Sequence, residues 1–160
     1  MNPAAKQPVV MGPALVLAAC IAMVLGAYGF QYIGGFEPCK LCWWQRYVYF
    51  AAIPLAAIAV FLAARRQSAA RWPMMLTGLL LLAGMGIAGY HAGVEYHWWP
   101  GPDTCSGAIG GDIFRDNVVK GLVRCDETPW SLFGVSMAGY NFLISALLAV
   151  FSLRLAWKGL

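Results

Sequence analysis

Cys39-Lys40-Leu41-Cys42 stands where one apolar run ends and the next begins. A C-x-x-C pair lowers the pKa of one thiol and lets the two sulfurs open and close as a disulfide. At a membrane surface, such a pair can pass electrons between a water-soluble thiol and a lipid-soluble carrier. A second pair, Cys105 and Cys125, brackets the longest polar stretch of the chain. Two dithiol pairs on one face of a membrane protein suggest a relay.

A disulfide between residues three apart closes little chain and stabilises little, which argues for redox work at Cys39 and Cys42. A four-cysteine zinc site usually has a second close pair. Cys105 and Cys125 are too far apart for that, so no metal is expected. Taken alone, Cys105 and Cys125 read as a loop staple worth about 3 kcal/mol. Beside a C-x-x-C they become an entry point for electrons, because exchange needs a thiolate to reach a sulfur. Arg46 lies one helical turn beyond Cys42 on the same face. It is either a functional cation or a side chain snorkelling to headgroups. At a helix N-terminus the macrodipole adds to its effect on a Cys42 thiolate.

The elements that must hold these residues follow from charge. Of 160 residues, 61% are hydrophobic and 11% charged, against roughly 25% charged in a soluble domain. Gln7 to Phe36, Tyr47 to Ala64, Trp72 to Val94 and Thr128 to Leu153 carry no charge. Each run is near the ~20 residues that cross a bilayer core as a helix. In lipid only helices or closed barrels satisfy the backbone. The expected fold is an all-α membrane protein, one domain over residues 1–160. Its four-transmembrane-helix bundle has spans near 11–33, 40–63, 72–94 and 131–153. Gly34-Gly35 should end the first span, and Pro38 should precede the second, with Cys39 and Cys42 in its first turn. Pro54 should kink that span. Gly89-x-x-x-Gly93 permits close helix packing. The outer loop, near 95–130, should carry a short amphipathic helix at 112–123, with Ile113, Phe114, Val118 and Leu122 on its apolar face.

The net charge of +4 is topological and points to no nucleic acid. Lys6, Arg65, Arg66, Arg71, Arg154 and Lys158 mark one side; all seven acids lie in or beside the 1–2 and 3–4 connections. Lys/Arg excess marks the cytoplasmic side. Both termini are therefore expected in the cytoplasm and both cysteine pairs outside, where disulfides persist. Trp43, Trp44, Trp98, Trp99 and Trp130 form an outer belt, Trp72 and Trp157 an inner one. Leu17-Ala18-Ala19-Cys20 imitates a lipoprotein signal, but the apolar run continues past Cys20. Cys20 instead reads as a small buried side chain of the first span. His97 reads as interfacial; His91, near the outer end of the third span, reads as packing or as a hydrogen-bond donor.

Pro38-Cys39-Lys40-Leu41-Cys42-Trp43-Trp44-Gln45-Arg46, four spans and an outer cysteine pair together resemble the DsbB family of bacterial inner-membrane thiol:quinone oxidoreductases. The resemblance implies a relay. A reduced periplasmic DsbA-like protein of thioredoxin fold attacks a Cys105–Cys125 disulfide, forming a mixed disulfide at Cys105, and Cys125 exchanges with Cys39. Cys42, released as thiolate, joins a bound ubiquinone or menaquinone. Arg46 stabilises the thiolate and a quinone oxygen; His91 is a candidate donor to that oxygen only by its place near the outer end of the third span, since it does not register cleanly with the family. The quinol leaves and the Cys39–Cys42 disulfide is restored. Gln45 occupies a position that can be acidic in the family. Other readings stay open here: a disulfide-stapled membrane scaffold without turnover, a DsbI-like relative with one dedicated substrate, or a metal-handling membrane protein. A vitamin K epoxide reductase-like enzyme is disfavoured, because that family places its C-x-x-C at a late span.

Overall fold

A computed structural model describes residues 7–102 and 124–158, with side chains from residue 10 onward. Four long helices dominate: α1 (Gln7–Tyr32), α2 (Lys40–Ala64), α3 (Arg71–Glu95) and α4 (Met137–Trp157). They hold 26, 25, 25 and 21 residues. At about 1.5 Å per residue each reaches across a hydrocarbon core of about 30 Å. All four are apolar enough to do so. The chain is a multi-pass membrane protein.

The helices pack in chain order, α1 on α2, α2 on α3 and α3 on α4, while α1 touches α4 lightly. Small residues make the seam of α2: Ala52, Ala56, Ala59 and Ala63 are buried at intervals of three and four. That spacing keeps one stripe turned inward, and small side chains let backbones approach where lipid supplies no hydrophobic drive. Val16 and Cys20 of α1, Met74 and Leu81 of α3 and Ala149 of α4 close the core around Tyr49. Cys20 is thus a buried packing residue. Large apolar side chains such as Tyr47, Phe50, Ile58, Phe61, Leu76 and Leu147 point outward, toward what lipid would cover.

The stops and starts are local chemistry. The α1 helix ends at Tyr32; in its last turn the Gly29 and Phe30 carbonyls accept from the Gly34 and Phe36 N–H groups, and Gly35 takes φ +73°. The Gly34-Gly35 stop is where the sequence put it. The α2 helix runs unbroken through Pro54. A short 3-10 turn (Ser68–Ala70) leads into α3.

The fourth helix begins later than its apolar run. Residues 131–136 form a two-stranded hairpin instead, β1 (Ser131–Leu132) paired antiparallel with β2 (Val135–Ser136). Phe133 and Gly134 take positive φ at its turn. Ser136 then caps α4, its Oγ accepting from the Gly139 N–H at 3.1 Å. Hydropathy extends the span into this stretch; the glycine turn and serine cap end it earlier.

Gly89 and Gly93 have separate tasks. A Cβ at Gly89 would press on the Phe142 ring of α4 at 3.1 Å, whereas one at Gly93 would overlap the Trp99 ring. Trp99 folds back over the end of α3, stacked on Tyr90 and donating from Nε1 to the Tyr90 carbonyl at 2.9 Å. The expected helix at 112–123 lies outside the described residues.

Candidate functional site

The site is built where α2 starts. Cys39 is the N-cap, with extended backbone (φ −72°, ψ 174°), and its Sγ accepts from the Cys42 N–H at 3.3 Å. The sulfur takes the place that a serine or aspartate oxygen usually fills. This cap turns both sulfurs to one side, and Cys39 Sγ donates to Cys42 Sγ at 3.0 Å. Cys39 is buried and Cys42 half-buried.

Cys125 arrives from the connection between α3 and α4 and packs with Cys39, Leu41 and Val94. Arg124 and Asp126 flank it in a bidentate pair, Nε to Oδ1 at 3.0 Å and Nη2 to Oδ2 at 2.7 Å. The Arg124 guanidinium holds the Asp126 carboxyl below the usual carboxylate range. The Cys39 thiol is pushed up to about 12. A hydrogen bond with Cys125 pulls it down, but its hydrogen bond to Cys42 and its burial outweigh that. Three of the four cysteines of the two pairs therefore meet, with Cys39 between Cys42 and Cys125. The fourth, Cys105, lies outside the described residues.

A buried polar chain backs the sulfurs. His91 of α3 sets Nε2 3.5 Å from Cys39 Sγ and 3.8 Å from Glu95 Oε1. Its Nδ1 lies 2.8 Å from Gln45 Nε2. Gln45 Oε1 accepts a short hydrogen bond from Asn141 Nδ2 of α4. Asn141 Oδ1 accepts from the Tyr49 hydroxyl at 2.6 Å, and that hydroxyl is 2.8 Å from Ser145 Oγ. The chain ties α2, α3 and α4 together at one depth. In a setting without water each of these groups would otherwise cost several kcal/mol.

Arg46 does not snorkel. It is 7% exposed and reaches across to α1, donating to Gln31 Oε1 at 2.6 Å and to the Ala27 carbonyl at 3.1 Å. Its guanidinium lies between the Tyr28 and Trp43 rings, 5.0 Å from each centroid, at cation–π distance. The fork satisfies two acceptors of α1 and leaves further donors for the cavity.

Cys39, Cys42, Arg46, His91 and Glu95 all line one cavity of about 330 Å³. Its far wall is apolar, with Met23, Phe30 and Ile144. A largely apolar cavity with a few convergent polar groups suits a small, flat, hydrophobic ligand. Chemically, the arrangement can exchange thiols with disulfides along Cys125, Cys39 and Cys42, beside a ligand held in the cavity.

Of the residues singled out in the sequence, Cys39, Cys42 and Cys125 come together, and Arg46 lines the same cavity as Cys39 and Cys42. His91 turns to the Cys39 sulfur. His97 is exposed, with φ +58°. Tyr49, Asn141, Ser145 and Gln31 were not singled out for the site, Gln45 was noted only as a departure within the motif, and Glu95 was given no role. Their signal was polarity inside or at the end of an apolar span, which is costly unless partnered.

The chain matches the model of the family "DsbB: Disulfide bond formation protein DsbB" over residues 11–155. It is 32% identical over 158 residues to disulfide bond formation protein B of Verminephrobacter eiseniae (strain EF01-2), covering 91% of this chain and 85% of that protein. The protein of the same name from Acidovorax sp. (strain JS42) is 32% identical over 157 residues, with 91% and 86% covered. That from Marinobacter nauticus (strain ATCC 700491 / DSM 11845 / VT8) is 27% identical over 150 residues, with 87% and 86% covered. No solved structure matches significantly. By its match over most of its length, the chain belongs to the DsbB family of disulfide bond formation proteins.

Proposed function

We propose that this protein reoxidises a periplasmic, DsbA-like dithiol protein and passes the electrons to a membrane quinone. The observation that carries the reading is Cys39, which touches both Cys125 and Cys42 at the mouth of a cavity lined by Arg46. The partner's dithiol attacks a Cys105–Cys125 disulfide, forming a mixed disulfide at Cys105. Released Cys125 then attacks the Cys39–Cys42 disulfide at Cys39, which lies in contact with it. Cys42 leaves as thiolate, in the first turn of α2, where the helix dipole favours negative charge.

Bound in the cavity, ubiquinone or menaquinone would supply the acceptor for two electrons and two protons. Arg46, Met23, Phe30, Tyr49 and Ile144 would hold it. The cavity volume fits a quinone headgroup, and its apolar wall suits a lipid-soluble tail. Arg46 is fixed by Gln31 and Ala27 before any ligand arrives, so little is lost in ordering it. His91 Nε2 is near enough to Cys39 Sγ to hold or move that thiol's proton. The partner loses two electrons and two protons, and the quinol carries them away. In this reading the protein lies in a bacterial inner membrane, with both termini cytoplasmic and the site periplasmic.

The test is quinone reduction by the full-length protein in detergent or liposomes, with a reduced DsbA-like protein as donor. Turnover should occur and stop in Cys42→Ser. Folded protein that turns over neither ubiquinone nor menaquinone would refute the assignment and favour a disulfide-stapled scaffold.

A further inference from the structure

The reduced site has a second capacity. The Cys39 Sγ, Cys42 Sγ and His91 Nε2 atoms all lie within 4.8 Å of one another. Two sulfurs and an imidazole nitrogen on a buried wall are a soft-metal donor set. We propose that the reduced protein binds one Zn²⁺ through Cys39, Cys42 and His91, its fourth position open to the cavity, and that the metal holds the dithiol out of turnover.

The distances support it. Tetrahedral zinc, with Zn–S of about 2.3 Å and Zn–N of about 2.0 Å, sets its sulfurs about 3.8 Å apart and sulfur to nitrogen about 3.5 Å. Cys39 Sγ to His91 Nε2 is already 3.5 Å. Cys39 Sγ to Cys42 Sγ is 3.0 Å, so one thiol must swing outward by roughly 1 Å to admit the ion. Cys42 is half-buried and faces the cavity, which gives it that room.

The surroundings complete the site. A ligating imidazole needs its other nitrogen to donate to a fixed acceptor. His91 Nδ1 faces the Gln45 amide. Amide orientation is set by the network, and the network beyond Gln45 is reversible. If Gln45 turns its oxygen to His91, its nitrogen faces Asn141. Asn141 then turns its own nitrogen to Tyr49 and Ser145, whose hydroxyls accept as readily as they donate. The same chain can therefore serve the ligating tautomer. Glu95 adds an independent sign of a cation: its Oε1 lies 3.8 Å from the ligating nitrogen. Its Oε2 is buried with no hydrogen-bond partner among the described residues.

Charge balances as well. Zn²⁺ takes up two thiolates and releases two protons, and no electron moves. The resulting neutral centre is tolerable where an unpaired ion is not. The disulfide form has no thiolate to offer, so metal binding and disulfide formation exclude each other. Zinc would act as a reversible brake on the reduced enzyme.

The experiment titrates Zn²⁺ alone into full-length protein, reduced in metal-free detergent, against a chromophoric chelator. One ion per chain is expected, with Cys39 and Cys42 protected from alkylation and no binding after oxidation. His91→Ala should weaken binding at least tenfold, and Cys105→Ala should leave it unchanged. Failure of the reduced protein to bind, equal binding by oxidised protein, or His91→Ala within twofold of wild type would overturn the proposal. Loss of binding in Cys105→Ala would overturn it too, by moving the site to the loop. If His91→Ala does not fold, Co²⁺ in the wild-type protein decides. Tetrahedral d–d bands with sulfur-to-cobalt charge transfer are expected, and their absence overturns the site. The titration contains no quinone, so its outcome is independent of whether the quinone reaction proposed above is correct.

Discussion

Arg46 offers the sharpest test of the cavity. Its guanidinium makes two interhelical hydrogen bonds, to Gln31 Oε1 at 2.6 Å and to the Ala27 carbonyl at 3.1 Å, and stacks between Tyr28 and Trp43. Interhelical hydrogen bonds in membranes contribute about 0.6–2 kcal/mol, so Arg46→Ala should loosen α1 from α2 by about 1–3 kcal/mol. A hydrogen bond from a charged donor to a ligand oxygen is worth about 1.5–3 kcal/mol. Its loss should raise the apparent quinone KM roughly ten- to hundredfold. Gln31→Ala separates the two effects. It removes the 2.6 Å anchor but keeps the cation, and should raise KM only severalfold. Arg46→Lys keeps the charge but not the planar fork, and should fall between them. The assay is initial rate against quinone concentration, with thermal unfolding in detergent as the control. A folded Arg46→Ala protein with KM within twofold of wild type would refute Arg46 as a ligand contact and leave it a structural clamp.

Two further substitutions test other parts of the reasoning. Cys105→Ala should abolish oxidation of a protein dithiol while sparing oxidation of small dithiols at Cys39–Cys42; equal loss of both rates would contradict a two-step relay. Gly93→Ala should displace Trp99 from the end of α3, costing about 1–3 kcal/mol. The check is a lower Tm together with altered tryptophan fluorescence, and an unchanged Tm would mean the ring is not docked there.

The span number and the cysteine pair at the start of α2 were legible because each rests on a local signal. A charge-free run long enough to cross lipid has few folds open to it. Arg65, Arg66, Arg71 and Arg154 gather at one end of the spans without reference to packing. Pro38 before Cys39 marks a helix start, and Gly34-Gly35 a stop. The start of α4 was less legible. Hydropathy does not distinguish residues 131–136 from the helix that follows, whereas the positive φ at Phe133 and Gly134 and the Ser136 cap do.

What only the tertiary structure decided is who meets whom. Cys125 and Cys39 are far apart in sequence, and nothing local says that Cys125 packs on Cys39 rather than elsewhere in the loop. Arg46 could equally have snorkelled; its burial depends on Gln31 and Ala27 standing opposite on α1. The chain from Ser145 through Tyr49, Asn141 and Gln45 to His91 needs three helices at one depth. Residue type and spacing determined what chemistry was possible here, because thiols, an imidazole and a guanidinium keep their properties in any fold. Which of them share one cavity was decided by packing, because a hydrogen bond or a thiol exchange needs a few ångströms that sequence distance does not measure.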